Sequence, residues 1–152
     1  MCMENNTNCA YDKLYLNDVM KVHRYLFVLM EQNTEYDTFS MIDSYMRYSN
    51  IRHKMDLGNW SALNKSGKQL YNDIPFYNCQ KKKKDYQQQY DNTILEWMAN
   101  IYVLLQWKYN ISSFSLNLII PADELYKTYF PLHETSYKNA CEKLYNKYLK
   151  KD

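Results

Sequence analysis

The sequence predicts an all-α fold, a compact bundle of about six to seven helices, and three observations lead to this prediction. First, the 152 residues include only 2 glycines and 3 prolines, too few for the many tight turns of a strand-rich fold. Second, apolar residues recur at helical spacing along most of the chain. Third, Ser, Thr, Asp or Asn precedes most of these segments, as helix N-caps do.

In the first half, the clearest helix is predicted from Asn17 to Gln32. Its apolar side chains recur three and four residues apart and form one stripe that can face a core. Glycine at position 58 is well suited to a left-handed C-terminal cap. Four further helices are predicted in this half. The first begins at Asp37 or Thr38, the second runs from Ile51 to Leu57, the third has one or two turns at Trp60–Leu63, and the fourth runs from Ser66 to Ile74.

In the second half, Thr93 and Glu96 match a capping box directly before an apolar run. The helix that follows is predicted to reach Tyr109 and to be central and mostly buried. Pro121 suits a helix start, and Pro131 is expected to end that helix because proline lacks the backbone donor. The predicted helices here are 93–109, a short one ending at 120, 122–129 and a last one capped by Thr135 or Ser136.

The most polar stretch of the chain lies between the two halves. It contains consecutive Lys and Gln residues without apolar periodicity, a pattern typical of a solvated linker or loop. The predicted organisation is therefore an N-terminal helical lobe at 1–77, a polar linker or loop at 78–91, and a C-terminal helical lobe at 92–152. Packing of both lobes as a single domain is the alternative.

Composition narrows the functional classes. A net charge of +2 gives no strong attraction to phosphate or anionic lipid. No run approaches the roughly 18 apolar residues of a membrane span, and the N-terminus lacks the apolar stretch of a secretion signal. The 4 cysteines form no C-x-x-C pair, so a zinc site is not predicted. We expect a cytoplasmic protein without metal or cofactor.

Residues 102–121 have the outline of a helix-turn-helix. The helix that would read DNA, 112–120, contains no Lys or Arg and has Asn117 as its single amide. Base edges and phosphates are read mainly by Arg, Lys, Asn and Gln. Plain helix packing is therefore the favoured interpretation of this segment.

Arg47 and His53 are separated by five residues. This spacing is similar to the R-x(4–6)-H signature of HEPN ribonucleases, which are also all-α. The resemblance implies that Arg47 stabilises charge and His53 moves protons at a scissile phosphate, across a dimer interface. This chain departs from the family pattern in two ways: Tyr48 follows the Arg, and the motif lies early in the chain. The alternative is that both are surface residues around a helix break.

A second nucleic-acid hypothesis concerns the polar stretch. Lysines bind phosphates and tyrosines stack on bases in proteins that hold single strands. The candidate residues are Lys81, Lys82, Lys83, Lys84 and Tyr86. A flexible, solvated segment explains the same residues. The neighbouring pair His133 and Glu134 could exchange protons, but we interpret it as a cap or surface pair.

A set of residues in the second half forms a recognisable pattern: Trp97-Met98, Ile101-Tyr102, Tyr109 to Ser113, Ile120-Pro121, Tyr129 and His133. This pattern resembles that of a group of small, uncharacterised helical proteins of low-GC bacteria and their mobile elements. The resemblance covers about residues 93–145. It implies a toxin–antitoxin or defence-like context, with accessory or regulatory binding rather than metabolism, and identifies no catalytic residue.

The leading functional prediction is a non-enzymatic protein-interaction or regulatory module, antitoxin-like or inhibitor-like. Its partner would be another protein encoded nearby, and a homodimer is left open. Aromatic residues commonly anchor protein interfaces, and the predicted surface comprises Tyr126, Tyr129, Phe130, Tyr145 and Tyr148. The alternative is a nucleic-acid-acting protein, either a HEPN-like RNase, the one enzymatic alternative, or a helix-turn-helix or single-strand RNA binder.

Overall fold

A computed structural model describes residues 9–83, 85 and 87–151. The described residues form nine α-helices and no strand, so the predicted all-α bundle is confirmed. The number exceeds six to seven because several helices are only one or two turns long. The helices are α1 (Leu16–Gln32), α2 (Thr38–Tyr48), α3 (Asn50–Asp56), α4 (Trp60–Leu63), α5 (Gly67–Asn72), α6 (Asn92–Tyr109), α7 (Ser113–Ile119), α8 (Ala122–Leu132) and α9 (Tyr137–Leu144).

The two longest helices, α1 and α6, pack against each other at the centre of the bundle. Helices α2 and α5 contact α1, whereas α7, α8 and α9 contact α6. A 3-10 turn, Lys13–Tyr15, precedes α1, and a π-helical segment, Tyr145–Leu149, follows α9. One buried apolar cluster contains Leu26 of α1 and Met98 of α6. The residues of the two predicted lobes therefore share a core.

The described part of the polar segment 78–91, which leaves out residues 84 and 86, packs back onto the first two helices. Its Lys81 forms an isolated antiparallel bridge with Tyr36. The backbone N–H of Asp37 donates to the carbonyl of Gln80 at 2.7 Å. These contacts fix the start of the segment beside the loop between α1 and α2.

Lys82 continues this attachment. Its ammonium group donates to the backbone carbonyls of Met30, Glu31 and Asn33 at the end of α1. The Met30 carbonyl also accepts the backbone N–H of Asn33, whereas the carbonyls that follow it lie beyond the last intrahelical donors. A cation there also interacts favourably with the helix dipole. Lys82 thus acts as a C-terminal cap of α1.

Two predicted helix-end signals are wrong, and several other helix ends differ from the predicted positions by one or two residues. The N-cap of α6 is Asp91, whose carboxylate accepts the N–H of Thr93, so Thr93 and Glu96 do not form the predicted capping box. Pro131 lies inside α8, which continues to Leu132. A proline so near the C-terminus removes one hydrogen bond and leaves the earlier turns intact.

Other local predictions are confirmed. Gly58 ends α3 with φ of 75°, in the left-handed region that favours glycine. Ser66 is the N-cap at the start of the predicted helix, and the structure adds a reciprocal capping box between Ser66 and Gln69 that was not predicted. Helix α6 ends at Tyr109, as predicted, and its C-cap Asn110 adopts a left-handed conformation with φ of 50°. Among the helices of the described residues, none has the length and apolar character needed to cross a membrane.

Candidate binding site

One face of α6 presents polar and aromatic side chains to the space between α1, α8 and α9. Thr93, Glu96, Trp97 and Asn100 stand at positions i, i+3, i+4 and i+7, which share a helix face. The space is a pocket of about 560 Å³, which we call the α6 pocket. Its lining consists of Arg24 of α1, the four α6 residues, Tyr129 of α8, His133 at the C-cap of α8, and Tyr137 of α9.

A chain of hydrogen bonds crosses the base of the pocket. The Arg24 Nη1 donates to Asn100 Oδ1 at 2.9 Å. Asn100 Nδ2 in turn donates to the Tyr137 hydroxyl at 2.9 Å. Because Asn100 is buried, the amide both connects α1 to α9 and fixes one edge of the guanidinium. The remaining N–H groups of Arg24 are left for other acceptors.

Aromatic rings form the wall on the α8 side. Trp97 meets Tyr129 edge to face, with ring centroids 5.4 Å apart. The His133 ring stacks on Tyr129 at 4.4 Å. His133 Nδ1 lies 3.0 Å and 3.2 Å from the carbonyls of Tyr129 and Phe130. Since carbonyls only accept hydrogen bonds, Nδ1 carries a proton, and Nε2 is the atom that remains for a ligand.

The pocket contains two opposite charges that do not pair with each other. In the described part of the chain, no ion pair joins Arg24 to Glu96. Within the same residues, the Glu96 carboxylate makes no hydrogen bond. The arrangement can therefore offer a ligand both a cation and an anion.

The aromatic residues of α8 extend outward from this pocket. We define the α8 aromatic face as Tyr126, Tyr129 and Phe130. Phe130 meets Tyr126 at 5.6 Å and Tyr129 at 5.4 Å, both edge to face. Tyr126 is supported from within by Phe39 and Tyr90, whose rings stack at 4.2 Å. The outermost ring, Phe130, is 56% exposed.

The other two predicted interface tyrosines lie outside this face. Tyr145 stacks on Tyr109 with ring centroids 4.1 Å apart. The Tyr148 hydroxyl donates to Glu124 Oε2 at 3.1 Å. Both belong to the π-helical segment. The structure therefore brings together three of the five predicted residues.

Arg47 and His53 do not line the α6 pocket. Arg47 Nε donates to Asn117 Oδ1 at 2.7 Å, which ties α2 to α7. Asn117 Nδ2 donates to Asp43 at 2.9 Å, and burial raises the pKa of Asp43. His53 Nε2 is buried without a hydrogen-bond partner among the described residues. Arg47 thus belongs to an interhelical network.

The described lysines of the predicted nucleic-acid-binding cluster make different contacts in the structure. Lys82 caps α1, as described above. Lys81 lies 4.0 Å from Glu35 in an exposed ion pair, and Lys83 is exposed. Lys84 and Tyr86 lie outside the described residues. The single-strand hypothesis would therefore have to rely on Lys81 and Lys83 in the described part of the segment.

The described cysteines provide no reactive thiolate near neutral pH. Cys79 and Cys141 have free thiols. Burial raises the pKa of both, and that of Cys141 to about 12. A nucleophilic cysteine needs a lowered pKa. Cys9 is disulfide-bonded. The described residues also contain no group of three His, Cys, Asp or Glu side chains placed to hold a metal ion.

Comparison with protein-family models, curated proteins and solved structures finds no match for this chain. The site therefore has to be interpreted from its own geometry. Sequence reasoning predicted Tyr129 and interpreted His133 as a cap or surface residue. It missed the other six lining residues, which are Arg24, Thr93, Glu96, Trp97, Asn100 and Tyr137. The spacing from Thr93 to Asn100 was a usable signal for the α6 face, whereas nothing local to Arg24 indicates that it lies across from Asn100.

Proposed function

We propose that the protein is a non-enzymatic binding module, of the antitoxin or inhibitor kind, that holds another protein against its α8 aromatic face. The observation that supports this proposal most is that the Phe130 ring is exposed while it packs against the rings of Tyr126 and Tyr129. Interface energy is concentrated in a few aromatic anchors. A ring already held by Tyr126 and Tyr129 loses little conformational entropy when a partner covers it.

The contacts of two alternative site residues are consistent with this proposal. Arg47 gives its Nε to Asn117, and Lys82 gives its ammonium to the end of α1. Each side chain thereby stabilises the packing of two elements. Phe130, by contrast, leaves more than half of its surface to solvent and contacts the half-buried rings of Tyr126 and Tyr129.

The experiment is affinity capture from the cells in which the gene occurs, with the full chain as bait. The test variant is Phe130→Ala. The matched control is Trp60→Ala, because Trp60 is 69% exposed and lies on α4, outside the α8 aromatic face. Thermal unfolding of both variants establishes that each is folded before capture.

We expect wild type and Trp60→Ala to retain the same stoichiometric protein partner and Phe130→Ala to lose it. Truncation of an interface anchor weakens binding by about 2 kcal/mol or more, roughly 30-fold. Capture of no stoichiometric partner by the wild-type chain contradicts the proposal. Equal capture by wild type and Phe130→Ala contradicts the assignment of the surface.

A further inference from the structure

The α6 pocket has the properties of a small-molecule site. Its volume of about 560 Å³ lies within the range of ligand pockets, about 300 to 1,000 Å³. Such sites combine aromatic walls with a few placed polar groups. Here the walls are Trp97, Tyr129 and Tyr137, and the charged groups are Arg24 and Glu96.

Arg24 is arranged to bind a carboxylate. Asn100 holds its Nη1 at 2.9 Å, and Tyr137 holds Asn100 from the other side. A guanidinium fixed at one edge can present its remaining donors as a planar pair. Carboxylates accept such a pair in a bidentate manner.

Glu96 is arranged to bind a cation. It lies next to Trp97 and one turn before Asn100 on the same helix face, and it also lines the pocket. Among the described residues its carboxylate has no hydrogen-bond or ion-pair partner. An ammonium group in the pocket would pair with this carboxylate through charge-assisted hydrogen bonds.

The charge balance of the lining favours a ligand with no net charge. Arg24 contributes one positive and Glu96 one negative charge. A phosphate monoester has close to two negative charges at neutral pH, and Glu96 would repel it. A zwitterion places one charge against each residue and therefore avoids this repulsion.

We propose that the α6 pocket binds a small zwitterion of the α-amino-acid class. Arg24 binds its carboxylate, Glu96 binds its ammonium, and its side chain lies against Trp97, Tyr129 and Tyr137. This site goes beyond partner binding at the α8 aromatic face. Either can exist without the other, so the two proposals can fail separately.

The test is isothermal titration of the full chain with each of the standard L-amino acids. The best-bound amino acid is then compared with two analogues, the amine that lacks its carboxylate and the acid that lacks its ammonium. We expect at least one amino acid to bind saturably and each analogue to bind about tenfold more weakly or worse, since one charge-assisted contact is lost. Inorganic phosphate is expected not to bind.

Charge-neutral variants link this binding to the pocket. Glu96→Gln and Arg24→Gln are each expected to weaken the best amino acid about tenfold or more. Their matched controls are Glu134→Gln and Lys21→Gln, because both residues are exposed and neither lines the pocket. If Arg24→Gln loosens the fold through Asn100, Glu96→Gln still decides the question.

Two outcomes overturn the proposal. One is that none of the amino acids binds saturably. The other is that Glu96→Gln binds the amino acid as tightly as the wild-type protein does, or that an analogue without one of the charges binds the wild-type protein as tightly as the amino acid does. Saturable binding that needs both charges and both pocket residues supports it.

Discussion

The Asp56 carboxylate accepts two hydrogen bonds from Ser113, one from its backbone N–H at 2.7 Å and one from its hydroxyl at 2.7 Å. Ser113 is the first residue of α7, and Asp56 is the last of α3. The same carboxylate lies 3.7 Å from Arg52 Nε, with both side chains buried. These contacts therefore join two helices through a buried charge that Arg52 compensates.

Removal of this carboxylate is expected to destabilise the fold strongly. Asp56→Asn leaves the buried Arg52 guanidinium without its counter-charge, and loss of one partner of a buried pair costs about 3–5 kcal/mol. Urea denaturation at neutral pH measures the change in the free energy of unfolding. Glu134→Gln, an exposed carboxylate, should stay within about 0.5 kcal/mol of wild type. A loss below about 1 kcal/mol for Asp56→Asn would show that this charge pair is unimportant.

His23 makes stability dependent on pH. Its Nδ1 donates to the Val19 carbonyl, and the Tyr45 hydroxyl donates to its Nε2, both at 2.7 Å. Burial, reinforced by the positive charge of Arg52, lowers the pKa of His23 to about 3. Between that value and an unfolded pKa of about 6.5, the unfolded chain binds a proton that the folded chain does not.

The His23 contribution is therefore fully present above pH 6.5 or so and is lost as the pH falls toward 3. The expected slope is up to about 1.4 kcal/mol per pH unit. Denaturation midpoints from pH 7 to 4 measure it, and His23→Gln should show a shallower slope. His133→Gln, at an exposed ring, should keep the wild-type slope. Parallel profiles for wild type and His23→Gln would refute the assignment.

The lysines of the polar segment are expected to differ in their effect on stability. Lys82→Met leaves the terminal carbonyls of α1 without their cap and should cost about 1.5–3 kcal/mol, as for hydrogen bonds to a charged group. Lys83→Met, at the exposed neighbouring position, should stay within about 0.5 kcal/mol. Thermal unfolding of the two variants makes the comparison. Equal melting temperatures would argue that segment 78–91 is not attached through Lys82.

Arg47 is expected to act on stability through Asn117. Arg47→Ala leaves the buried Oδ1 of Asn117 without its donor, at a cost of about 1–3 kcal/mol. Chemical denaturation measures this loss, and Lys54→Ala, at an exposed position, is the control. The HEPN-like alternative makes a different prediction, RNA cleavage that His53→Ala abolishes in a folded protein. Such cleavage would establish the alternative.

Local features were readable from the sequence because they depend on neighbouring residues. Gly58 and Ser66 are examples, since a left-handed C-cap and a serine N-cap each depend on only a few neighbouring positions. The same reasoning failed at Thr93, where Asp91, two residues earlier, supplies the cap. When two candidate caps lie this close together, the packing of the helix decides which of them is used. For the same reason, the extension of α8 past Pro131 could not be predicted.

The candidate site depends on contacts between distant parts of the chain. Arg24 and Asn100 are 76 positions apart, so no pattern within either helix predicts their hydrogen bond. Three members of the predicted aromatic surface, by contrast, lie on α8 within one stretch of five residues, so their spacing in the sequence was enough to find them. Tyr145 could not be excluded from that surface by sequence, because its stacking partner, Tyr109, belongs to another helix.

The most direct test of the binding account is photo-cross-linking at one position in cells that contain the natural partner. A photoreactive phenylalanine analogue replaces Phe130 in one variant and Trp60 in another. The account predicts a cross-link from position 130 to a single protein, and no such adduct from position 60. An adduct of equal yield at both positions, or none at position 130, would contradict it.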